Sequence, residues 1–250
     1  MRTEIIRRLN DLNREFYQSF ARSFSGTRGR IQPGVRRIIK ELPVEGNWLD
    51  LGCGNGNLAK ALVKSSRKGS YLGVDGSRNL IQAAEDKNIL GGKQELATRF
   101  LHADITNPGW LETLPDMNWN SVFLFATLHH IPGQLERQEL CKQIHGLLPV
   151  DGKLHISVWQ VYNSSRLSQR ILPWETIGIP EDALEQGDVL MDWRGVEGNE
   201  PAAIGLRYVH VFSEGELTRL AVKSGFTVDK KFYSDGKEGS LGLYQIWKQK

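Results

Sequence analysis

Asn47-Trp48-Leu49-Asp50-Leu51-Gly52-Cys53-Gly54-Asn55-Gly56 runs from a short apolar strand into a turn with glycine at every second position. The helical pattern Leu58, Ala61, Leu62, Val63 follows at once. Such glycines let the backbone turn tightly and approach a ligand with no Cβ in the way, while the next helix aims its N-terminal N–H groups at the same spot. A dinucleotide fingerprint, G-x-G-x-x-G, needs glycine at 57, where this chain has Asn57. The loop is G-x-G-x-G with Asp50 two residues ahead of it, and the nicotinamide reading loses.

Working outward, Ser70–Asp75 reads as a second strand and Asn79–Asp86 as the helix after it. Phe100–Asp104, Ser121–Ala126 and Lys153–Trp159 supply a third, fourth and fifth strand, with a helix over Glu136–Leu148 before the last. Strands alternating with helices imply right-handed crossovers and a parallel sheet covered on both faces, a doubly wound α/β fold. Glu214–Ser224 is helical, and Thr227–Tyr233 and Leu241–Trp247 read as closing strands, bringing the sheet to seven; the last is a candidate for antiparallel pairing. Ahead of the core, residues 3–20 and a stretch opened by Pro33 read as helices. The stretch 160–206, with Pro173, Pro180 and Pro201, reads as irregular and lies where loops leave the strand ends. A single domain is expected: a basic helical segment 1–42, a cofactor-binding core 43–159, a substrate-side insertion 160–206 and a closing segment 207–250.

Composition excludes other classes. With 250 residues, 40% of them hydrophobic, a disordered chain is excluded and no staple is needed to hold a core. Cys53 and Cys141 form neither a C-x-x-C pair nor a zinc spacing, so no metal is expected and the compartment is read as reducing. No apolar run reaches membrane-span length, which points to a cytoplasmic protein without a membrane partner. Residues 1–40 carry ten basic groups against three acids, a balance of +7, which leaves −4 on the other 210 residues of a chain at +3. Such an arm either contacts phosphates or is an amphipathic helix packing through Ile5, Ile6, Leu9, Leu12 and Phe16.

The segment Asp50 to Gly56 resembles the first motif of class I S-adenosylmethionine-dependent methyltransferases. The resemblance implies S-adenosylmethionine as cofactor, held around Asp50, Gly52, Gly54 and Gly56. It also places Asp75 on both ribose hydroxyls with Gly76 and Ser77 behind it, Asp104 on the adenine amino group, the Ile105 N–H on the ring, and Ala126 at the fourth strand end. Further segments are similar to the tRNA wobble-uridine carboxymethyl methyltransferase family, which esterifies 5-carboxymethyluridine in the anticodon. They are Phe24-Ser25-Gly26-Thr27-Arg28 with Pro33, Leu128-His129-His130, Gly187-Asp188-Val189 with Trp193, and Arg207-Tyr208-Val209-His210-Val211-Phe212-Ser213-Glu214-Gly215-Glu216-Leu217. That resemblance implies tRNA as a partner and, from some eukaryotic members, a small activator protein. The chain departs from it at Gly76-Ser77, at Trp119-Asn120-Ser121 and in a short stretch between Trp193 and Arg207.

A carboxylate is already a nucleophile at neutral pH, so such a site needs orientation and dryness rather than a base. Arg28 and Arg207 are the expected clamps, with His130 beside them, and one of His129 and His130 faces the site while the other packs. Trp159, Trp174 and Trp193 are candidates to stack a base. Two alternatives share the cofactor loop: a methyltransferase for a small carboxylic acid or other metabolite, and a non-catalytic S-adenosylmethionine-binding regulator.

Overall fold

Two helices, α1 (Thr3–Ser19) and α2 (Pro33–Glu41), precede the alternating run β1 (Glu45–Leu51), α3 (Asn57–Lys64), β2 (Lys68–Asp75), α4 (Arg78–Asp86), β3 (Leu96–His102), β4 (Ser121–Phe125), α5 (Gln134–Leu147) and β5 (Lys153–Trp159). A one-turn helix, α6 (Ser165–Ser168), leads into β6 (Ile171–Leu172), β7 (Asp188–Glu197) and β8 (Glu200–His210). The chain closes with α7 (Glu214–Lys223), β9 (Phe226–Ser234) and β10 (Gly242–Gln249). The structure, a computed structural model, describes residues 1–20, 30–86, 95–197 and 200–250, with the side chains of 195–203 outside the description.

The main sheet has seven strands in the order β3-β2-β1-β4-β5-β10-β9, parallel from β3 to β5, with β10 antiparallel to both neighbours. This is the expected doubly wound sheet. The pleat of β1 sends Leu49 and Leu51 to one side, where they meet Val122, Leu124 and Ile156 and are covered by Cys141 and Ile144 of α5. Trp48 goes to the other side, against Val35 and Ile38 of α2 and Leu58 and Leu62 of α3. With both faces buried, each large aliphatic chain in this core contributes about 1.5–3 kcal/mol through burial. Strand order reverses between β1 and β4, which opens a crevice at their C-terminal ends, where α/β sheets bind ligands.

The stretch 160–206 differs from its sequence reading. It holds a second, antiparallel sheet, β6-β7-β8, paired from Asp188 opposite His210 to Glu197 opposite Glu200. Both faces of this sheet are covered, which hides the period-2 alternation of a half-buried strand. Val189, Met191 and Val209 pack on Val161, while Leu190 and Tyr208 pack on Ile5, Leu9 and Trp174. The prolines do not break it, because Pro173 and Pro180 precede short 3-10 turns and Pro201 sits beside a register shift between Arg194 and Val196.

The α1 apolar stripe is buried at Ile5, Leu9 and Phe16, and Arg8 donates to the carbonyls of Ile177 and Gly178. The helix therefore staples the small sheet to the core, as in the amphipathic reading of the basic arm. Among the described residues, no helix is long and apolar enough to cross a membrane.

Candidate active site

A cavity of about 710 Å³ opens at the C-terminal ends of the central strands, roofed by α1 and the small sheet. Its floor is the glycine loop. Gly52, Gly54 and Gly56 have φ of +78°, +55° and +73°, in the left-handed region open to glycine. The Gly52 and Cys53 N–H groups donate to Val74 O at 2.8 and 3.0 Å, which turns the chain back over β2. A Cβ on Gly52 would lie 2.2 Å from Thr127 Oγ1, whereas one on Gly54 would meet nothing within 4 Å. Gly54 thus bares its backbone to the cavity. Gly56 is the N-cap of α3, between the cavity-lining Asn55 and Asn57, and a Cβ there would meet Phe100 and Ala84, so glycine also allows close packing.

The acids follow strand by strand. Asp75 accepts from Gly54 N–H and Ser77 N–H, both at 2.8 Å, one on each oxygen. Each oxygen keeps a lone pair for a further donor. Asp50 is buried, and its one described hydrogen bond comes from the Tyr71 hydroxyl at 2.6 Å. Burial pushes its carboxyl up to about 7; the Tyr71 bond opposes this and the Asp75 charge adds to it. Asp104 accepts from Thr106 N and Oγ1, and Ile105 lies beside it in the lining with Gly76 and Ser77. Ala126 also lines the cavity at φ +52°, held by its N–H donating to Ser157 O and Oγ; for a non-glycine residue that is strain of order 1 kcal/mol. A buried carboxylate without a described cation, beside a glycine edge with room above it, fits a positively charged nucleoside cofactor.

The opposite end of the cavity is basic. Arg207 is 4% exposed and lines the wall, yet its Nε and Nη1 have no hydrogen-bond partner. Burial pulls its pKa down, and the Tyr17 hydroxyl, which accepts from the guanidinium, resists. That hydroxyl also lies 2.7 Å from His130 Nε2, and His130 Nδ1 lies 3.0 Å from Tyr208 O. A carbonyl only accepts, so Nδ1 carries a proton and donates to it, while Nε2 shares a hydrogen bond with the Tyr17 hydroxyl. His130 lines the cavity; His129 is fully buried with its ring 4.8 Å from Trp159. Trp159 and Trp193 line the cavity and Trp174 is core. Arg28 lies outside the described residues.

Tyr17 and Asn13 are absent from the sequence reading. Asn13 Nδ2 donates to His130 O and Tyr208 O and its Oδ1 accepts from Tyr208 N, which locks α1 onto β8. The signal available was a buried amide on an otherwise apolar helical stripe. His210, on the opposite face of β8 from Arg207, lies outside the cavity with Nδ1 and Nε2 each 2.7 Å from a carboxylate, Asp188 and Glu216. Glu185, Asp188 and His210 come close enough to ligate a cation, but both His210 nitrogens are taken by these carboxylates.

A mostly parallel sheet with a glycine loop after β1 and acids at the C-terminal ends of β1, β2 and β3 defines an S-adenosylmethionine-dependent methyltransferase fold. Residues 21–231 match the model of a methyltransferase domain family, and the chain belongs to that family. It is 24% identical over 234 residues, 88% of this chain and 90% of the relative, to the tRNA (carboxymethyluridine(34)-5-O)-methyltransferase of Schizosaccharomyces pombe. Among solved structures it resembles the magnesium protoporphyrin IX methyltransferase of Synechocystis with bound SAH, at 14% identity and TM-score 0.65, over 96% of this chain and 99% of that one. It also resembles a Haloferax volcanii methyltransferase in complex with the Trm112 activator, at 15% identity and TM-score 0.65, over 94% and 96% of the two chains.

Proposed function

We propose that this methyltransferase esterifies the carboxylate of 5-carboxymethyluridine at the tRNA wobble position. The observation that carries the reading is the polarity of one cavity: acids Asp50, Asp75 and Asp104 at one end, and at the other a buried guanidinium with two unmade hydrogen bonds. The acidic end suits a cation and the other a planar anion, which a guanidinium fork grips in a bidentate pair. The Schizosaccharomyces relative, matched along nearly the whole chain, supports the choice of acceptor.

In this reading Gly52 and Gly54 present backbone to the cofactor, Asp75 takes both ribose hydroxyls, and Asp104 with the Ile105 N–H takes the adenine. Asp50 sits toward the cationic part, and Gly76, Ser77 and Ala126 complete the wall. When bound, S-adenosylmethionine supplies a methyl group on a positively charged sulfur, which a carboxylate oxygen can take without first losing a proton. Arg207 orients the carboxylate, Tyr17 and His130 hold Arg207 in place, and Trp159 and Trp193 keep the acceptor end dry. Esterification removes the acceptor's charge, which leaves Arg207 without its anion and favours release of the product.

The deciding experiment is incubation with labelled S-adenosylmethionine and tRNA bearing carboxymethyluridine, followed by nucleoside analysis, with and without a co-expressed Trm112-type activator. Label in the methyl ester of the wobble nucleoside is expected; label confined to another nucleoside or to a small carboxylic acid overturns the acceptor.

Two cofactor measurements follow. Asp75→Ala should weaken S-adenosylmethionine by about 1.5–3 kcal/mol, roughly 10- to 150-fold in Kd, through loss of charge-assisted hydrogen bonds. Unchanged affinity by calorimetry in a folded variant removes the ribose assignment. Because Asp50 titrates near 7 in the free protein, a cation beside it should drive off its proton. Affinity should then rise from pH 6 to 8 with proton release on binding, read as a heat that depends on the buffer. In Asp50→Asn that buffer dependence should vanish.

A further inference from the structure

We propose that Arg170 and Arg194, braced by Asp192, form a phosphodiester-binding rim that grips the RNA backbone beside the acceptor nucleotide, an inference that rests on the RNA acceptor proposed above. Asp192 is 3% exposed on β7 and lines the cavity. Its Oδ1 lies 3.3 Å from Arg170 Nη1 and its Oδ2 2.8 Å from Arg194 Nε. The Asp192 charge also reaches Arg207. Two guanidinium groups thus pair with one carboxylate, and among the described cavity residues the other acids lie elsewhere. Asp50, Asp75 and Asp104 are at the cofactor end, and Asp235 is tied to Gly34 N–H and the Tyr244 hydroxyl.

The charge count separates this rim from the carboxylate clamp. Arg170 and Arg194 against Asp192 leave one positive charge in excess at the rim, separate from Arg207, whose charge a single acceptor carboxylate would neutralise. A second anion is needed close by, fixed relative to the first. A nucleotide whose base carries a carboxylate brings that anion as its own phosphodiester.

The geometry also divides the labour. Arg194 is largely exposed and Arg170 half-buried, so they face the mouth, whereas Arg207 is sealed at the base. Each bond to Asp192 uses one edge of a guanidinium and leaves further N–H donors for a phosphate oxygen. Trp193, next in β7, also lines the cavity, with its ring against Phe16 and Phe20. The rim therefore places two basic groups, one on β7 and one just ahead of β6, at the cavity mouth. Arg8 of the N-terminal arm is already spent on the Ile177 and Gly178 carbonyls.

The test measures binding of a wobble-unmodified anticodon stem-loop RNA by fluorescence anisotropy between 50 and 200 mM salt, with inorganic phosphate as competitor. Arg170→Gln and Arg194→Gln are made singly, so that Asp192 always keeps one guanidinium partner. Each should weaken binding several-fold at 50 mM salt and lower the slope of log affinity against log salt by about 0.7, the value for one single-strand phosphate contact. Arg194→Lys should restore most of the slope. Inorganic phosphate at millimolar concentration should compete poorly, since the rim reads a phosphodiester tethered to a base. Slopes equal to wild type in both Gln variants overturn the rim, and strong competition by inorganic phosphate overturns its assignment to an RNA backbone. Methylation of carboxymethyluridine tRNA by the wild type is scored separately: methylation with unchanged slopes sinks the rim alone, and altered slopes without methylation sink the acceptor alone.

Discussion

Arg207→Ala should lower the rate of methyl transfer to the carboxylate acceptor by roughly 30- to 1,000-fold, about 2–4 kcal/mol of transition-state stabilisation, with cofactor affinity nearly unchanged. The same change should cost little stability, because the packing of Arg207 on the Phe16 and Trp159 rings is offset by its two unmade N–H groups. Arg207 is a buried cation with two N–H groups unmade, and removing a desolvated, unsatisfied donor relieves a cost of about 1–3 kcal/mol per group. A residue held for packing alone would show the reverse pattern, with lost stability and an intact rate. Arg207→Lys should rescue poorly, because an ammonium lacks the planar fork that orients a carboxylate. The pH profile gives a second reading. With cofactor saturating, so that the Asp50 titration does not limit binding, and with no acceptor group to deprotonate, the rate should level off above the acceptor's carboxyl pKa of about 4 and stay flat from 7 to 9. A tenfold rise per pH unit over that range would signal a hydroxyl or amine acceptor and end the esterification reading.

The residues proposed for the cofactor end were legible because their signals are local. Gly52, Gly54, Asp75, Asp104 and Ala126 sit at strand ends, and strand ends show as breaks in hydrophobic period. Asn57 alone separated the loop from a dinucleotide fingerprint. That Gly56 also packs closely on Phe100 and Ala84 did not show in the sequence, because what would meet a glycine's Cβ is tertiary information. The residues proposed for the acceptor end came only through resemblance, which pointed to Arg207 and His130 but not to Tyr17, whose hydroxyl reaches His130 across 113 positions of sequence. The small sheet was missed for a related reason: both its faces are buried, and a run such as Val189-Leu190-Met191 then carries no alternation to read. The +7 of the first 40 residues located positive charge but not its use, since a charge count does not show which guanidinium groups are already bound to carbonyls.

Arg137→Met should be the most destabilising single change at the base of the small sheet, at about 3–5 kcal/mol, which for a chain of this size lowers Tm by roughly 6–20 °C. Arg137 is 1% exposed on α5, donates to Glu185 Oε2 at 2.6 Å and Ile131 O at 3.1 Å, and lies over the Phe212 ring. Tyr208 and His210 share Asp188 on the same buried face, and Glu216 closes the far side of His210. Burial draws the His210 pKa down, but the bonds to Asp188 and Glu216 outweigh it and hold the ring above its usual value. Burial raises Glu216, and its bond to His210 more than reverses that. The wild-type network should therefore stabilise most between about pH 4.5 and 6.5, where Glu216 is ionised and His210 protonated. Stability should fall at higher pH as His210 loses its proton through its raised pKa, and at lower pH as Glu216 gains one through its lowered pKa. Removing Arg137 leaves three carboxylates facing one histidine, so the deficit should shrink as the pH is taken from 8 to 5 and His210 supplies positive charge. Because Tyr208 O is the acceptor for His130 Nδ1 and Tyr208 adjoins Arg207 in β8, the variant should also lose turnover, recovering part of it at pH 5 along with its stability. A stability deficit identical at pH 5 and pH 8 would mean that Arg137 fills space on Phe212 and that its charge does not hold the small sheet in place.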